Sequence, residues 1–424
     1  MIWTRFATVF LGIWMLTCPE SFGYSGTPNG YSDWISALFL LFFGFISMSF
    51  RFRYWIWGGC LIGVWLQFAP LLFWAPDPVI YVNDTIIGIL AIAFYVLVPL
   101  RPRELEIGPQ IPKGWTYNPS SWQQRLPVIF FGIVGWFVAR YLSAYQLHYT
   151  DYVWNPFGNT AKVLTSMVAA NFPVSDAGLG ALAYSLEAIM GAKGGVRRWH
   201  TMPWLVIAFG FLVVPLGLVS ILLVMCQPIL VGAWCPLCLI IACCMLIMLA
   251  LTVDEVVAVC QYLHQSVREG KGFWKTLFHG SAYLQDEMDK RTPEITSSFW
   301  QCCRAMVWGV SLPWNLVVTA LLGICLLFTN SLMGFTALAA DNADVIGASI
   351  VVFSIISWAE VARALRFINL PLAAWLIVGT CILPGAAFWS ILSASVIGVA
   401  VIILSFYKGK RIKESYGSWD KYIL

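Results

Sequence analysis

The strongest constraint on this chain is the recurrence of apolar runs long enough to cross a membrane, near residues 3–19, 33–50, 54–74, 84–100, 127–147, 176–191, 203–225, 233–251, 313–330, 344–362, 370–385 and 391–407. A helical crossing takes about 20 apolar residues, and only helices or closed barrels satisfy their backbone inside lipid. The spacing therefore predicts an all-α polytopic membrane protein with about twelve transmembrane helices. Composition agrees: 60% of the 424 residues are hydrophobic and 11% charged, against roughly 25% charged in soluble domains. The first run carries Arg5 but no small-x-small cleavage site follows, so it reads as a helix and not a signal peptide.

Lys and Arg fall on alternate connections: Arg51 and Arg53; Arg101, Arg103, Lys113 and Arg125; Lys193, Arg197 and Arg198; Arg268 to Arg304; Arg363 and Arg366; Lys408 to Lys413. Basic residues concentrate on the cytoplasmic side, which predicts a multi-pass protein of a bacterial inner membrane with both termini cytoplasmic. The connections at 20–32, 75–83, 226–232 and 331–343 lack Lys and Arg, and 148–175 has only Lys162. They are expected to face outward. The mixed charge of 263–304, including Asp286, Glu287 and Asp289, fits a solvated cytoplasmic linker, and no basic cluster is dense enough for nucleic acid.

One pattern repeats three times: Trp3, Gly12, Pro19, Asp33; Tyr54, Gly63, Pro70, Asp84; Trp314, Gly323, Asn330, Asp344. The aromatic stands nine residues before the Gly, the turn residue seven after and the acid 21 after. A weaker fourth copy, near Leu383, Pro384 and Gly398, lacks the acid. Each unit reads as a helix hairpin. The aspartates either cap the returning helices or form an ion or proton site, with capping favoured. Elsewhere inside the spans, Arg140 is placed to snorkel outward and Glu187 to pair with Arg197 or Arg198.

The one candidate for chemistry is Trp234-Cys235-Pro236-Leu237-Cys238. With 12 cysteines in the chain the spacing alone is a weak signal, and cysteine in a membrane helix is often a small hydrophobe. Its placement adds more. The pair opens a helix, where free N–H groups and the dipole favour a thiolate, Pro236 suits a first turn, and the charge pattern puts this end outside, where disulfides persist. Too few His and Cys converge for a metal site. Cys18 and Cys226 end helices on the same side and are minor candidates for a resolving thiol.

From about Leu126 to Leu251, Val163-Leu164-x-Ser166, then Pro173-x-Ser175-x-x-Gly178-x-Gly180-x-x-x-Tyr184, then Trp234-Cys235-Pro236-Leu237-Cys238-Leu239 resemble the vitamin K epoxide reductase family. These are membrane thiol oxidoreductases built as a four-helix bundle around a quinone. The resemblance implies that Cys235 exchanges disulfides with a partner, that Cys238 faces the quinone, and that Ser166, Asp176 and Tyr184 surround it, with Asp176 alternatively capping its helix. It implies ubiquinone or menaquinone as the quinone, in either direction of electron flow, and, as partner, a thioredoxin-like extracytoplasmic protein. Two departures stand out. Thr160 occupies the position of the family's second loop cysteine, with no Cys between Cys60 and Cys226, and Ala242 replaces an aromatic found after the active-site pair in some members.

The flanks, with Ser32-Asp33-Trp34 and Ser311-Leu312-Pro313-Trp314, resemble SPW-repeat membrane domains. The expected organisation is hairpins over 1–100, a thiol oxidoreductase core over 120–262, a linker over 263–310 and hairpins over 311–407. The expected activity is electron exchange between an extracytoplasmic dithiol or disulfide and a membrane quinone. The rival is a non-catalytic scaffold or thiol redox sensor.

Overall fold

The computed structural model describes residues 3–96, 110–280, 288–294, 296–329, 334–407 and 413–423. Arg101, Arg103, Asp286, Glu287, Asn330 and Lys408 lie outside them, as does the Tyr54 side chain. Among the described residues the regular structure is helical: α1 Trp3–Ser21, α2 Pro28–Ile46, α3 Ile56–Leu72, α4 Pro78–Val96, α5 Trp122–Gln146, short α6 Thr160–Leu164 and α7 Met167–Ala170, α8 Asp176–Ala192, short α9 Arg198–Thr201, α10 Pro203–Cys226, α11 Pro236–Arg268, α12 Phe273–His279, α13 Phe299–Met306, α14 Trp314–Thr329, α15 Ala337–Ile356, α16 Asn369–Ile382 and α17 Phe388–Phe406. Among the described residues, eight helices are long and apolar enough to cross a membrane. The other four expected runs are also helical: α3, α8 and α14 have 17, 17 and 16 residues, and α1 is the more polar fourth.

The helices are polar within and apolar without. On α1, Thr4, Arg5 and Thr8 are buried while Trp3, Phe6 and Phe10 are 61%, 59% and 64% exposed. On α2, Asn29, Ser32, Asp33 and Ser36 are buried and Ile35, Leu38, Phe42 and Phe45 exposed. In water this arrangement would strand its apolar surface, whereas in hydrocarbon it hides the groups that cannot be solvated. The chain is a multi-pass membrane protein.

The chain forms two compact units, residues 1–107 with 132–194, and 108–131 with 195–424. They cut through the expected 120–262 core, crossing α5, and do not follow its edges. In the first unit α1 packs on α2, α3 on α4, α2 on α3 and α1 on α4. In the second, α14 to α17 repeat the same four pairings. The repeat glycines explain part of this. A Cβ on Gly63 would come within 2.7 Å of the Gly88 carbonyl oxygen, and one on Gly323 within 2.8 Å of that of Gly347, so each hairpin closes backbone to backbone.

The capping role expected for the aspartates does not hold. Thr27 caps α2, its hydroxyl accepting the Gly30 N–H at 3.2 Å, and Asp77 Oδ1 accepts the Val79 N–H at 2.7 Å where α4 begins. Prolines Pro28 and Pro78 start both helices earlier than the apolar runs suggest, which carries Asp33 and Asp84 into the second turn. The expected pairing of Glu187 with Arg198 also fails, because Arg198 bonds Glu255 at 2.6 Å in a buried pair and neither Glu187 oxygen has a partner among the described residues. Arg140 lies over the Trp136 ring at 5.2 Å.

In the second unit the charged stretch after α11 is tied down. Gln123 and Gln124 donate to the carbonyls of Pro293 and Ala305, Arg291 bonds Glu414, and Tyr416 donates to Glu360 at 2.8 Å. Tyr117 donates to Asp254 at 2.7 Å. Burial among these carboxylates pushes the Tyr117 and Tyr416 hydroxyls far above the usual phenol range.

Gly63→Ala should lower stability by about 1–3 kcal/mol, the cost of overpacking, measured by chemical denaturation in micelles. Gly180→Ala, where a Cβ meets only the Ala139 Cβ at 3.8 Å, should be neutral or stabilise by up to about 1 kcal/mol. Equal effects at the two sites would contradict this packing.

Candidate active site

The segment that carries the thiols is built by a local break in helix geometry. α10 ends at Cys226, and Gln227–Val231 continues as one π-helical turn. Gly232 then takes a left-handed conformation, φ 62° and ψ 36°, that favours glycine and reverses the chain. Ala233 and Trp234 lead into Cys235, the N-cap of α11, and Pro236 fills the first helical position, where no N–H is needed.

Cys235 and Cys238 form a disulfide, with Cα atoms 5.3 Å apart. The Cys235 sulfur also accepts the Cys238 N–H at 3.1 Å. On reduction this donor, with the other free N–H groups of the first turn, faces a thiolate at Cys235. Cys235 is fully buried and Cys238 half-buried. The two sulfurs are thus inequivalent: one is held at the cap, the other keeps part of its surface open.

Gln227 completes the turn and was not singled out by sequence reasoning. Its Oε1 accepts the Cys235 N–H at 2.9 Å, it is buried, and its carbonyl accepts the Ala233 N–H at 3.3 Å. The available signal is a single amide in the otherwise apolar run Val224 to Val231. Cys226, free and half-buried, immediately precedes it. Cys18 is free and buried in the first unit, its thiol donating to the Trp14 carbonyl at 3.3 Å.

The other expected site residues, Ser166, Asp176 and Tyr184, belong to the first unit, and Cys235 and Cys238 to the second. Ser175 caps α8, accepting the Gly178 N–H at 2.9 Å, so Asp176 is its first helical residue and not its cap. The Asp176 carboxylate accepts the Gln146 amide at 2.5 Å, and Gln146 Oε1 accepts the Ser175 hydroxyl at 2.6 Å and the Ala177 N–H at 3.3 Å. Gln146 is thereby fully used in orienting this helix start. Ser166 caps α7, its Oγ accepting the Ala169 N–H at 3.4 Å, and is half-buried. Tyr184 is buried with its ring over Gly135, where a Cβ would come within 2.5 Å of it. Thr160, at the loop-cysteine position, is buried and donates to Asn155 Oδ1 at 3.0 Å.

Gln227→Ala should leave the buried Cys235 N–H unsatisfied and cost about 1–3 kcal/mol in denaturation of the oxidised protein. Gln227→Glu, which keeps an acceptor, should recover much of the loss. An alanine variant as stable as the parent would remove Gln227 from the site's support.

No curated protein and no solved structure matches the chain. Residues 126–253, which run from the first turns of α5 into α11 and include both thiols, match the Vitamin K epoxide reductase family.

Proposed function

We propose that this protein is a membrane thiol:disulfide oxidoreductase that moves two electrons between an extracytoplasmic dithiol or disulfide partner and a membrane quinone. The observation that carries the reading is the Cys235–Cys238 disulfide at the start of α11, with the Cys235 sulfur accepting the Cys238 N–H, inside the family-matched segment. Both termini lie in the cytoplasm of a bacterial cell, and the thiol pair opens on the other side of its inner membrane. The flanking hairpins are of SPW-repeat type.

In the oxidising direction, a thiolate of a thioredoxin-like partner attacks the disulfide at Cys235, breaks the S–S bond and releases the Cys238 thiolate. The partner's second thiol then attacks the mixed disulfide and leaves oxidised with two electrons transferred. Run in reverse, the Cys235 thiolate attacks a partner disulfide and Cys238 resolves the intermediate. In the oxidising direction a bound quinone would accept the two electrons and two protons released as the Cys235–Cys238 bond re-forms; in the reducing direction a quinol would return them to the disulfide. The partial openness of Cys238 supports its meeting the small acceptor, and burial of Cys235 supports exchange only with a partner that opens the cap. Ser166, whose hydroxyl hydrogen has no acceptor among the described residues, is suited to donate to a quinone carbonyl. Asp176 and Tyr184 contribute a carboxylate and a ring wall. With Thr160 in place of a loop cysteine, the partner meets Cys235 directly.

The test is turnover of the purified full-length protein in micelles, with a dithiol and ubiquinone or menaquinone analogues, followed by quinone absorbance. Repeated reduction of quinone, abolished by Cys235→Ala and by Cys238→Ala, is expected, and Cys238→Ala should trap a mixed disulfide with an extracytoplasmic protein in membranes. A single oxidation or reduction per molecule with no catalytic turnover would replace the enzyme with the redox-sensor reading.

A further inference from the structure

The first and second hairpins enclose a polar centre that the thiol chemistry does not use. The Trp two residues after each repeat glycine reaches into the other hairpin: Trp14 Nε1 donates to Asn83 Oδ1 at 3.0 Å, and Trp65 Nε1 to Ser32 Oγ at 2.9 Å. Asn83 and Ser32 each stand immediately before the repeat acid. The hairpins are therefore joined by reciprocal contacts about a local pseudo-two-fold, and that symmetry sets the carboxyls of Asp33 of α2 and Asp84 of α4 beside each other.

Both aspartates are fully buried. The Tyr24 hydroxyl donates to Asp33 Oδ2 at 2.7 Å, and the Asn83 amide to Asp84 Oδ1 at 3.2 Å. The remaining oxygens, Asp33 Oδ1 and Asp84 Oδ2, have no partner among the described residues. Asn29 Oδ1, one turn before Asp33 on the same face of α2, is buried and unpartnered as well. The titratable groups that face the pair among the described residues are Tyr24, from the α1–α2 connection, Cys18, from α1, and Tyr149, from the α5–α6 connection, and none is a cation. Two carboxylates this close, out of water and with no cation, repel strongly, and each would leave an acceptor unsatisfied. One hydrogen on either carboxyl removes a charge and lets that carboxyl donate to the other.

We propose that the N-terminal four-helix bundle is a proton-binding site in which Asp33 and Asp84 hold one proton between them, with Asn29 as a further acceptor beside the pair. The C-terminal bundle is a built-in comparison. There a Cβ on Gly398 would come within 3.1 Å of the Ala373 carbonyl oxygen, as one on Gly88 would come within 2.5 Å of that of Gly63, which fixes Ala373 as the counterpart of the repeat glycine. The position 21 residues on is Ala394, so Asp344 has no second repeat acid.

The experiment is infrared difference spectroscopy of the full-length protein in lipid discs at mildly alkaline pH, parent minus variant. A carboxylic-acid carbonyl band that shifts in heavy water should be present in the parent, lost in both Asp33→Asn and Asp84→Asn, and unchanged in Asp344→Asn. Each asparagine keeps an N–H to donate to the remaining carboxylate, so the single variants should unfold near the parent temperature. Absence of the band from the parent, which needs no variant to fold, or its survival in either single variant, would overturn the proposal. So would a rise in unfolding temperature with sodium or potassium that depends on both aspartates, since it would make the occupant a metal cation.

Discussion

Hydrocarbon cannot hydrogen-bond, and the architecture follows from that single deficiency of the solvent. Each span must satisfy its backbone internally, so each becomes a helix, and each polar side chain must turn toward protein. Asn29, Ser32, Asp33 and Ser36 on α2, or Ser390 and Ser405 on α17, line interiors while aromatic and aliphatic side chains face out. The same constraint makes unsatisfied groups informative. In water a stray carboxylate oxygen is solvated at little cost; here Asp33 Oδ1, Asp84 Oδ2 and both Glu187 oxygens are buried without partners among the described residues, which hydrocarbon penalises.

The thiol pair obeys the same constraint from the other side. A helix start leaves N–H groups without intrahelical partners, which is costly in lipid and useful beside sulfur. Cys235 accepts one of these groups, while its own N–H is taken by Gln227. The break after α10, with its π turn and left-handed Gly232, brings the side chain of Gln227 back to the cap. Satisfying the backbone and placing a donor on the Cys235 sulfur are here one arrangement.

Much of this was legible because hydrophobicity in long runs has one structural meaning. The apolar runs became helices, the repeat glycines became backbone contacts, and the Cys-Pro-Leu-Cys segment became a helix N-terminus. The failures share a cause: the sequence shows which residues are polar but not which polar group each one meets. Asp33 and Asp84 looked like caps because the apolar runs begin near them, whereas Pro28 and Pro78 start the helices earlier. Glu187 looked like a partner for Arg198 by proximity along the chain, but Glu255, 57 residues on, holds that guanidinium. Gln227 was passed over because an amide has no charge to draw attention. Ser166, Asp176 and Tyr184 stand out in the sequence only through the family pattern, and the bonds of Ser166 to Ala169 and of Asp176 to Gln146, like the packing of the Tyr184 ring at Gly135, cannot be read from spacing.

The two flanking bundles separate what the fold needs from what it carries. Both keep the four helix pairings and the glycine-to-carbonyl approaches, so close packing of small residues is sufficient to define the hairpin pair. Their centres differ. In the third copy Cys325 stands where the first two have Trp14 and Trp65; in the fourth, Trp375 is retained and donates to Asn342 at 2.9 Å, but Ala394 replaces the acid. A bundle that packs with one buried acid, Asp344, does not need two for packing. The second buried carboxyl of the N-terminal bundle, which sets a like charge against Asp33 in a medium that penalises it, is therefore better explained by what it binds than by what it holds together.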